Sequence, residues 1–145
     1  MMIPEVSKDL DKIFKETIAI QTTQDIVNAR QKGRDLAQRY AFSKSEQTRF
    51  ATAISELTRN VLTYATAGQC SFTVTCTNKK DTISARIMDN GPGIADIELA
   101  LQDGYSGGKG LGLGLPGAKR LVHTFEISSS PGLTIIDISI CRQKR

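Results

Sequence analysis

Phe50-Ala51-Thr52-Ala53-Ile54-Ser55-Glu56-Leu57-Thr58-Arg59-Asn60-Val61-Leu62-Thr63-Tyr64 is followed, across Gly68, by Cys70-Ser71-Phe72-Thr73-Val74-Thr75-Cys76-Thr77. In the first stretch Phe50, Ile54, Leu57, Val61 and Tyr64 recur at offsets of four, three, four and three, the stripe of an amphipathic helix. In the second, Cys70, Phe72, Val74 and Cys76 alternate with serine and threonine, the pattern of a half-buried strand. The helix is expected to run to about Ala67, with Gly68 as its stop. A helix with one apolar stripe and a strand with one apolar face each need a partner to cover them, which places helix against sheet.

The elements on either side fit that layering. Ser43 or Ser45 supplies a cap for the helix just described. Before it, Ile26, Ala29, Gly33, Leu36, Ala37 and Tyr40 approximate another helical face over 24–41, with Thr22 or Thr23 as N-cap and Asp25 suited to the helix dipole. Thr17-Ile18-Ala19-Ile20 reads as a first strand, and residues 1–14 as a polar N-terminal arm. Downstream, Asn78-Lys79-Lys80-Asp81 makes a turn, and Ile83, Ala85 and Ile87 alternate in a strand that completes a hairpin. From Asp89 to Leu115 the chain is glycine-rich, with a short helix expected around 96–102. Pro116 suits the first turn of a helix carrying Ala118, Leu121 and Val122. Thr124 to Ser129 and Leu133 to Cys141 form a closing hairpin about Pro131-Gly132. The sum is an α+β sandwich, helices on one face of a mixed, mostly antiparallel sheet, in a single domain over 15–145.

Composition narrows the class. At 145 residues the chain holds one core, and 39% apolar with 23% charged residues is a globular balance. No apolar run approaches the roughly 20 residues of a membrane span, and no secretory signal is visible, so the cytoplasm is the expected setting. The net charge of +4 includes Arg142, Lys144 and Arg145, but basic residues elsewhere interleave with acids, as on a solvated surface rather than a nucleic-acid face. Cys70, Cys76 and Cys141 lack metal spacing and read as reduced thiols, at least two of them packing as small hydrophobes.

Three stations carry chemistry. Glu56 and Asn60, four apart, project from one face of a helix at the border of its apolar stripe. A carboxylate there can accept a proton, and an amide oxygen can hold a hard cation such as Mg²⁺. Such pairs are common on helices, so this one gains meaning only from its company. Asp89-Asn90-Gly91-Pro92-Gly93-Ile94 leaves the end of a strand. Its carboxylate can accept from the exocyclic amine of adenine, and Gly91 and Gly93 let the backbone turn tightly against a flat ring. Gly104-Tyr105-Ser106-Gly107-Gly108-Lys109-Gly110-Leu111-Gly112-Leu113-Gly114-Leu115, entering a helix, offers backbone N–H groups to a triphosphate, with Lys109 as a cation. Its glycines also suit a lid closing on nucleotide.

Rival phosphate motifs fail. Gly108-Lys109 is preceded at P-loop distance by Asp103 and followed by Gly110, so neither required glycine nor hydroxyl is present. Gly112-x-Gly114-x-x-Gly117 matches the dinucleotide fingerprint literally, but Pro116 lies inside it and no buried strand immediately precedes it.

Glu56…Asn60, Asp89-x-Gly91-x-Gly93 and Gly110-x-Gly112-x-Gly114 resemble, in order and spacing, the N, G1 and G2 boxes of the GHKL ATPase superfamily. Asp25-Ile26-Val27-x-Ala29-Arg30-x-x-Gly33-Arg34, Ala53-Ile54-Ser55-Glu56-Leu57-x-Arg59-Asn60 and Gly114-Leu115-Pro116-Gly117-x-Lys119-Arg120-Leu121 are similar to its RsbT-like, anti-sigma-factor-type serine/threonine kinases, over about residues 15–140. The resemblance implies a Bergerat-type sandwich and an ATP- and Mg²⁺-dependent protein kinase. In it Asn60 coordinates the metal, Glu56 is the catalytic base, Asp89 reads adenine in a pocket shaped by Gly91 and Gly93, and Lys109 through Gly114 form the phosphate-side lid, with Arg59 in support. It also implies a partner-switching stress-response role. The substrate would be an antagonist with a STAS domain, and further partners a PP2C-type phosphatase or a sigma factor, with neither nucleic acid nor membrane. Position 90 is Asn where the group often has Gln, Lys109 interrupts a run of small residues, and the usual Gly-Thr step appears as Gly132-Leu133-Thr134. Two other classes stay open: an anti-sigma factor or non-catalytic module that sequesters a regulatory partner, and a bare ATPase.

Overall fold

The computed structural model describes residues 11–65, 67–94, 97–102 and 114–144. Strand β1 spans Asp11–Ile20, helix α1 Thr23–Arg39, helix α2 Lys44–Tyr64, strand β2 Gly68–Cys76 and strand β3 Lys80–Asp89. A short helix α3 (Ile97–Ala100), helix α4 (Gly114–Arg120), strand β4 (Thr124–Ser130) and strand β5 (Leu133–Gln143) complete the described chain. The strands form one sheet in the order β1-β2-β3-β5-β4, with every pairing antiparallel. β1 reaches back to Asp11, into the stretch expected as an arm, because β2 is long enough to pair with it as far as Cys76.

Both long helices start as their sequences dictate. Thr22 accepts from the Asp25 N–H while Asp25 accepts from the Thr22 and Gln21 N–H groups, which satisfies donors that the first turn would leave orphaned. Ser43 and Glu46 make the same reciprocal box on α2. Phe50, Ile54, Leu57 and Val61 are buried as the stripe requires. Tyr64 is not: it is 43% exposed, on the last helical residue, and leaves the core it was expected to join. α1 and α2 approach closely at Gly33, where a β-carbon would collide with the Cδ1 methyl of Ile54. Opposite them, Phe72, Val74, Ile83, Ala85, Ile87, Ile136, Ile138 and Ile140 form the covered face of the sheet. The other face is polar, with Thr17 bonded to Ser71 at 2.8 Å and Arg86 to Asp137 at 2.8 and 3.1 Å.

α2 ends at Tyr64, earlier than the sequence suggests, and Gly68 opens β2 instead of stopping the helix. Its role is steric. A β-carbon at Gly68 would strike the Met88 carbonyl oxygen and lie 2.7 Å from Cγ1 of Val61, so the glycine lets the end of α2 press onto the β2–β3 pair.

One buried carboxylate closes the far end of the sheet. Asp81 is 4% exposed, with Lys144 Nζ 3.0 Å and Arg142 Nη2 3.5 Å away. Lys144 also donates through Nζ to Thr77 O and through its backbone N to Lys79 O, so two cations of the basic tail are committed to the β2–β3 turn. Burial alone pushes the Asp81 carboxyl up. Hydrogen bonds from the Cys76 thiol and Lys144, with the charges of Lys144 and Arg142, outweigh it and hold the group below its ordinary value.

Two outcomes follow from this packing. Gly68→Ala, which adds a methyl against backbone, is expected to lower stability by about 1–3 kcal/mol in denaturant titrations. For Asp81, a depressed folded pKa means its contribution is complete above the unfolded carboxylate value of about 3.9 and disappears as pH falls through the folded one. Asp81→Asn is therefore expected to be less stable than the native chain near neutral pH, and the gap should narrow on acidification below about pH 4.

Candidate functional site

The rotation of α2 is fixed by its buried stripe, and Glu56 and Asn60 flank that stripe one turn apart. Glu56 is nearly covered, its side chain 12% exposed, and Arg59 Nη1 lies 2.9 Å from its Oε2. The guanidinium, half exposed itself, thereby restricts the orientation of the carboxylate. Asn60 is half-buried, and among the described residues its amide is engaged by no hydrogen bond.

Asp89 ends β3 between two neighbours, its backbone in register with Gly68 of β2 and Thr134 of β5. Its Oδ1 accepts from the Gly91 N–H at 2.9 Å, which folds the chain back directly after the strand. Asn90 locks the turn to the segment leaving α2: its N–H donates to Ala67 O, and its Oδ1 accepts from Ala67 N. A residue larger than glycine at 91 would press on the Tyr64 carbonyl oxygen and the Ala65 methyl. Gly93 has φ +89°, and a β-carbon there would meet the Ser130 carbonyl. Both glycines are thus required by geometry, one by close approach and one by backbone conformation as well.

The far side of this turn is held by residues to which sequence reasoning gave no part. Ser129 Oγ accepts from the Ile94 N–H at 2.8 Å and is 2.6 Å from Thr134 Oγ1, while Gly132 N donates to Gly91 O at 2.9 Å. Thr134 is buried, 4% exposed, and stands beside Asp89 across the strand pair. The inserted Leu133, 44% exposed, does not displace Thr134 from that place. The signal in the sequence was the Gly132-Leu133-Thr134 step, which stands where the family has Gly-Thr.

The structure therefore brings two of the three stations to one region. Val61 packs at Gly68, Gly68 pairs with Asp89, and the Asp89–Gly93 turn touches the Tyr64–Ala65 corner of α2. From Tyr64 back to Glu56 is eight residues, about 12 Å of helix. Of the third station, Lys109, Gly110, Leu111, Gly112 and Leu113 lie outside the described residues. Gly114, at φ +65°, begins α4, whose Leu115, Pro116, Gly117 and Ala118 are buried and which packs on α2.

His123, just before β4, faces an acid from α2: Glu46 Oε2 is 3.9 Å from its Nε2. Cys70 is buried and its thiol is pushed up to about 12, which keeps it protonated and inert.

Residues 45–143 match the family described as histidine kinase-, DNA gyrase B- and HSP90-like ATPase. The chain is 44% identical over 115 residues to the serine/threonine-protein kinase RsbT of Bacillus subtilis (strain 168), covering 79% of this chain and 86% of that protein. Among solved structures, the RsbU and RsbW domains of a Mycobacterium tuberculosis protein align with a TM-score of 0.60 at 17% identity, a likeness of fold alone. That alignment covers 90% of this chain and 33% of the other. The chain belongs to the histidine kinase-, DNA gyrase B- and HSP90-like ATPase family, among its serine/threonine protein kinases.

Proposed function

We propose that the chain transfers the γ-phosphoryl group of ATP to a serine or threonine of an antagonist protein in a partner-switching module. The reading is supported above all by one observation: the Val61–Gly68–Asp89 contact joins the polar border of α2 to the Asp89–Gly93 turn at one end of the sheet. Asp89 is assigned to accept from the adenine amine, with Gly91 and Gly93 assigned to the ring's edge. Gly114, together with Lys109, Gly110, Leu111, Gly112 and Leu113, is assigned to the phosphate side.

Glu56 is the assigned base. It takes the proton from the acceptor hydroxyl as that oxygen forms its bond to the γ-phosphorus and the bond to the β–γ bridging oxygen breaks, leaving ADP. Arg59 holds the carboxylate in one orientation. Asn60 suits Mg²⁺ by donor type, a hard amide oxygen free of other hydrogen bonds among the described residues and one turn from the Glu56 carboxylate. Among the described residues no cluster of three acidic, histidine or cysteine side chains stands ready for a metal, so the phosphates themselves would complete its shell. Bound magnesium nucleotide supplies the transferable group and the neutralisation of its charge. Everything the protein adds is positioning and one proton acceptor.

The assigned substrate is a small STAS-domain antagonist, with a PP2C-type phosphatase as the partner released or activated in turn, in a cytoplasmic stress-response setting. Among the described residues no helix is long and apolar enough to cross a membrane.

With labelled ATP and a STAS-domain protein, the native chain is expected to yield phosphoserine or phosphothreonine. Glu56→Ala should retain nucleotide affinity and lose transfer by about 10²–10⁴-fold. Normal phosphorylation by that variant would remove Glu56 from its role. Asp89→Asn should weaken ATP binding by about tenfold or more in calorimetry, as expected for a lost charged hydrogen bond. Unchanged affinity would place adenine elsewhere.

A further inference from the structure

Three columns of the covered sheet face end together beside the Asp89–Gly93 turn. Ile87 of β3, Ile136 of β5 and Ile127 of β4 stand side by side across the strands, all packed in or against the core. Two residues nearer the turn, on the same face, the row becomes Asp89, Thr134 and Ser129. The apolar core thus gives way, at one level of the sheet, to a carboxylate and two hydroxyls. Thr134, in the middle of the row, is buried, and Ser129 at its outer end is half-buried.

Ser129 joins this row to the turn. Its Oγ accepts from the Ile94 N–H at 2.8 Å and lies 2.6 Å from Thr134 Oγ1. A serine hydroxyl has two lone pairs and one hydrogen, and the amide occupies one lone pair. When Ser129 donates to Thr134, the single hydroxyl serves one group in the turn and one on β5. When Thr134 donates instead, the Ser129 hydrogen has no acceptor among the described residues. The first arrangement is the better satisfied. Asp89 Oδ1 is engaged by the Gly91 N–H, while its Oδ2 receives no hydrogen bond among the described residues. The direction of that open oxygen follows the shape of the turn. Asp89 itself fixes the turn's start, the Gly132 N–H its middle through Gly91 O, and Ser129 its end.

We propose that Ser129 is a positioning residue for adenine recognition: its hydroxyl ties the end of the turn to Thr134 and so holds the Asp89 carboxylate toward the base amine. The inference rests on the assignment of Asp89 to adenine made above. With the turn fixed in this way the acceptor is in place before nucleotide arrives, and binding is spared the cost of ordering it. Guanine carries a carbonyl oxygen where adenine carries its amine, and a fixed carboxylate repels it. A carboxylate on a loosened turn can swing aside, so loss of the Ser129 hydroxyl acts on base preference as well as on affinity.

The test is displacement of a fluorescent ATP analogue from the full chain by ATP and, separately, by GTP, at a temperature where each variant is folded. Ser129→Ala is expected to weaken ATP by about tenfold, the scale of a hydrogen bond whose partner is left unmatched. GTP should compete as it does with the native chain, so the preference for ATP narrows by the same factor. Ser129→Thr, which keeps the hydroxyl, should restore both. Thr134→Val cuts the link from its other end and provides a second reading should Ser129→Ala fold poorly. Native ATP affinity in the folded variant, alongside weakened binding in Asp89→Asn, would overturn this inference alone, as would equal losses of ATP and GTP. Native affinity in Asp89→Asn would overturn the adenine assignment and this inference with it.

Discussion

The contact between Val61 and Gly68 is the constraint from which the site takes its form. α2 lies on the sheet through Phe50, Ile54, Leu57 and Val61, and burial of that stripe leaves the helix one rotational setting. Missing its β-carbon, Gly68 admits the last turn of the helix against β2 and β3. A bulkier residue would lift that turn, and Asn60, adjacent to Val61, would rise with it. Core packing and placement of the polar pair are thus one event.

Around this contact the polar groups of the Asp89–Gly93 turn are satisfied from both sides. Asn90 bonds to Ala67 at the helix side, while Ser129, Thr134 and Gly132 hold Ile94 and Gly91 at the hairpin side. A turn anchored in this way does not depend on ligand to take its shape, and a preorganised acceptor loses little on binding. The one described residue strained at φ +89° in the turn is a glycine, for which that region carries no steric cost.

Charge is arranged with the same economy at the two ends distant from the turn. Asp81 draws Arg142 and Lys144 onto the β2–β3 hairpin, so much of what reads as a basic tail is internal structure. Arg49, by contrast, is exposed on α2, where its Nη1 donates to Ser45 Oγ. Net charge alone did not separate these two cases, since a cation committed to a buried carboxylate and one facing solvent count equally.

The sequence by itself determined the elements and their faces. The offsets from Phe50 to Val61, the alternation from Cys70 to Cys76 and the caps at Thr22 and Ser43 are local, set by helical and strand periods and by hydrogen bonds within four residues. Its motifs also carried the resemblance to the kinase family, because Glu56, Asn60, Asp89, Gly91 and Gly93 are each tied to their own element. Tertiary structure alone decided what crosses between elements: Tyr64 left outside the core, Gly68 serving as a contact instead of a stop, Thr134 set beside Asp89, Glu46 facing His123, and Lys144 paired with the buried Asp81. Each of these joins residues far apart in the chain, and periodicity within one segment carries no information about which side chain of another will fill the space beside it.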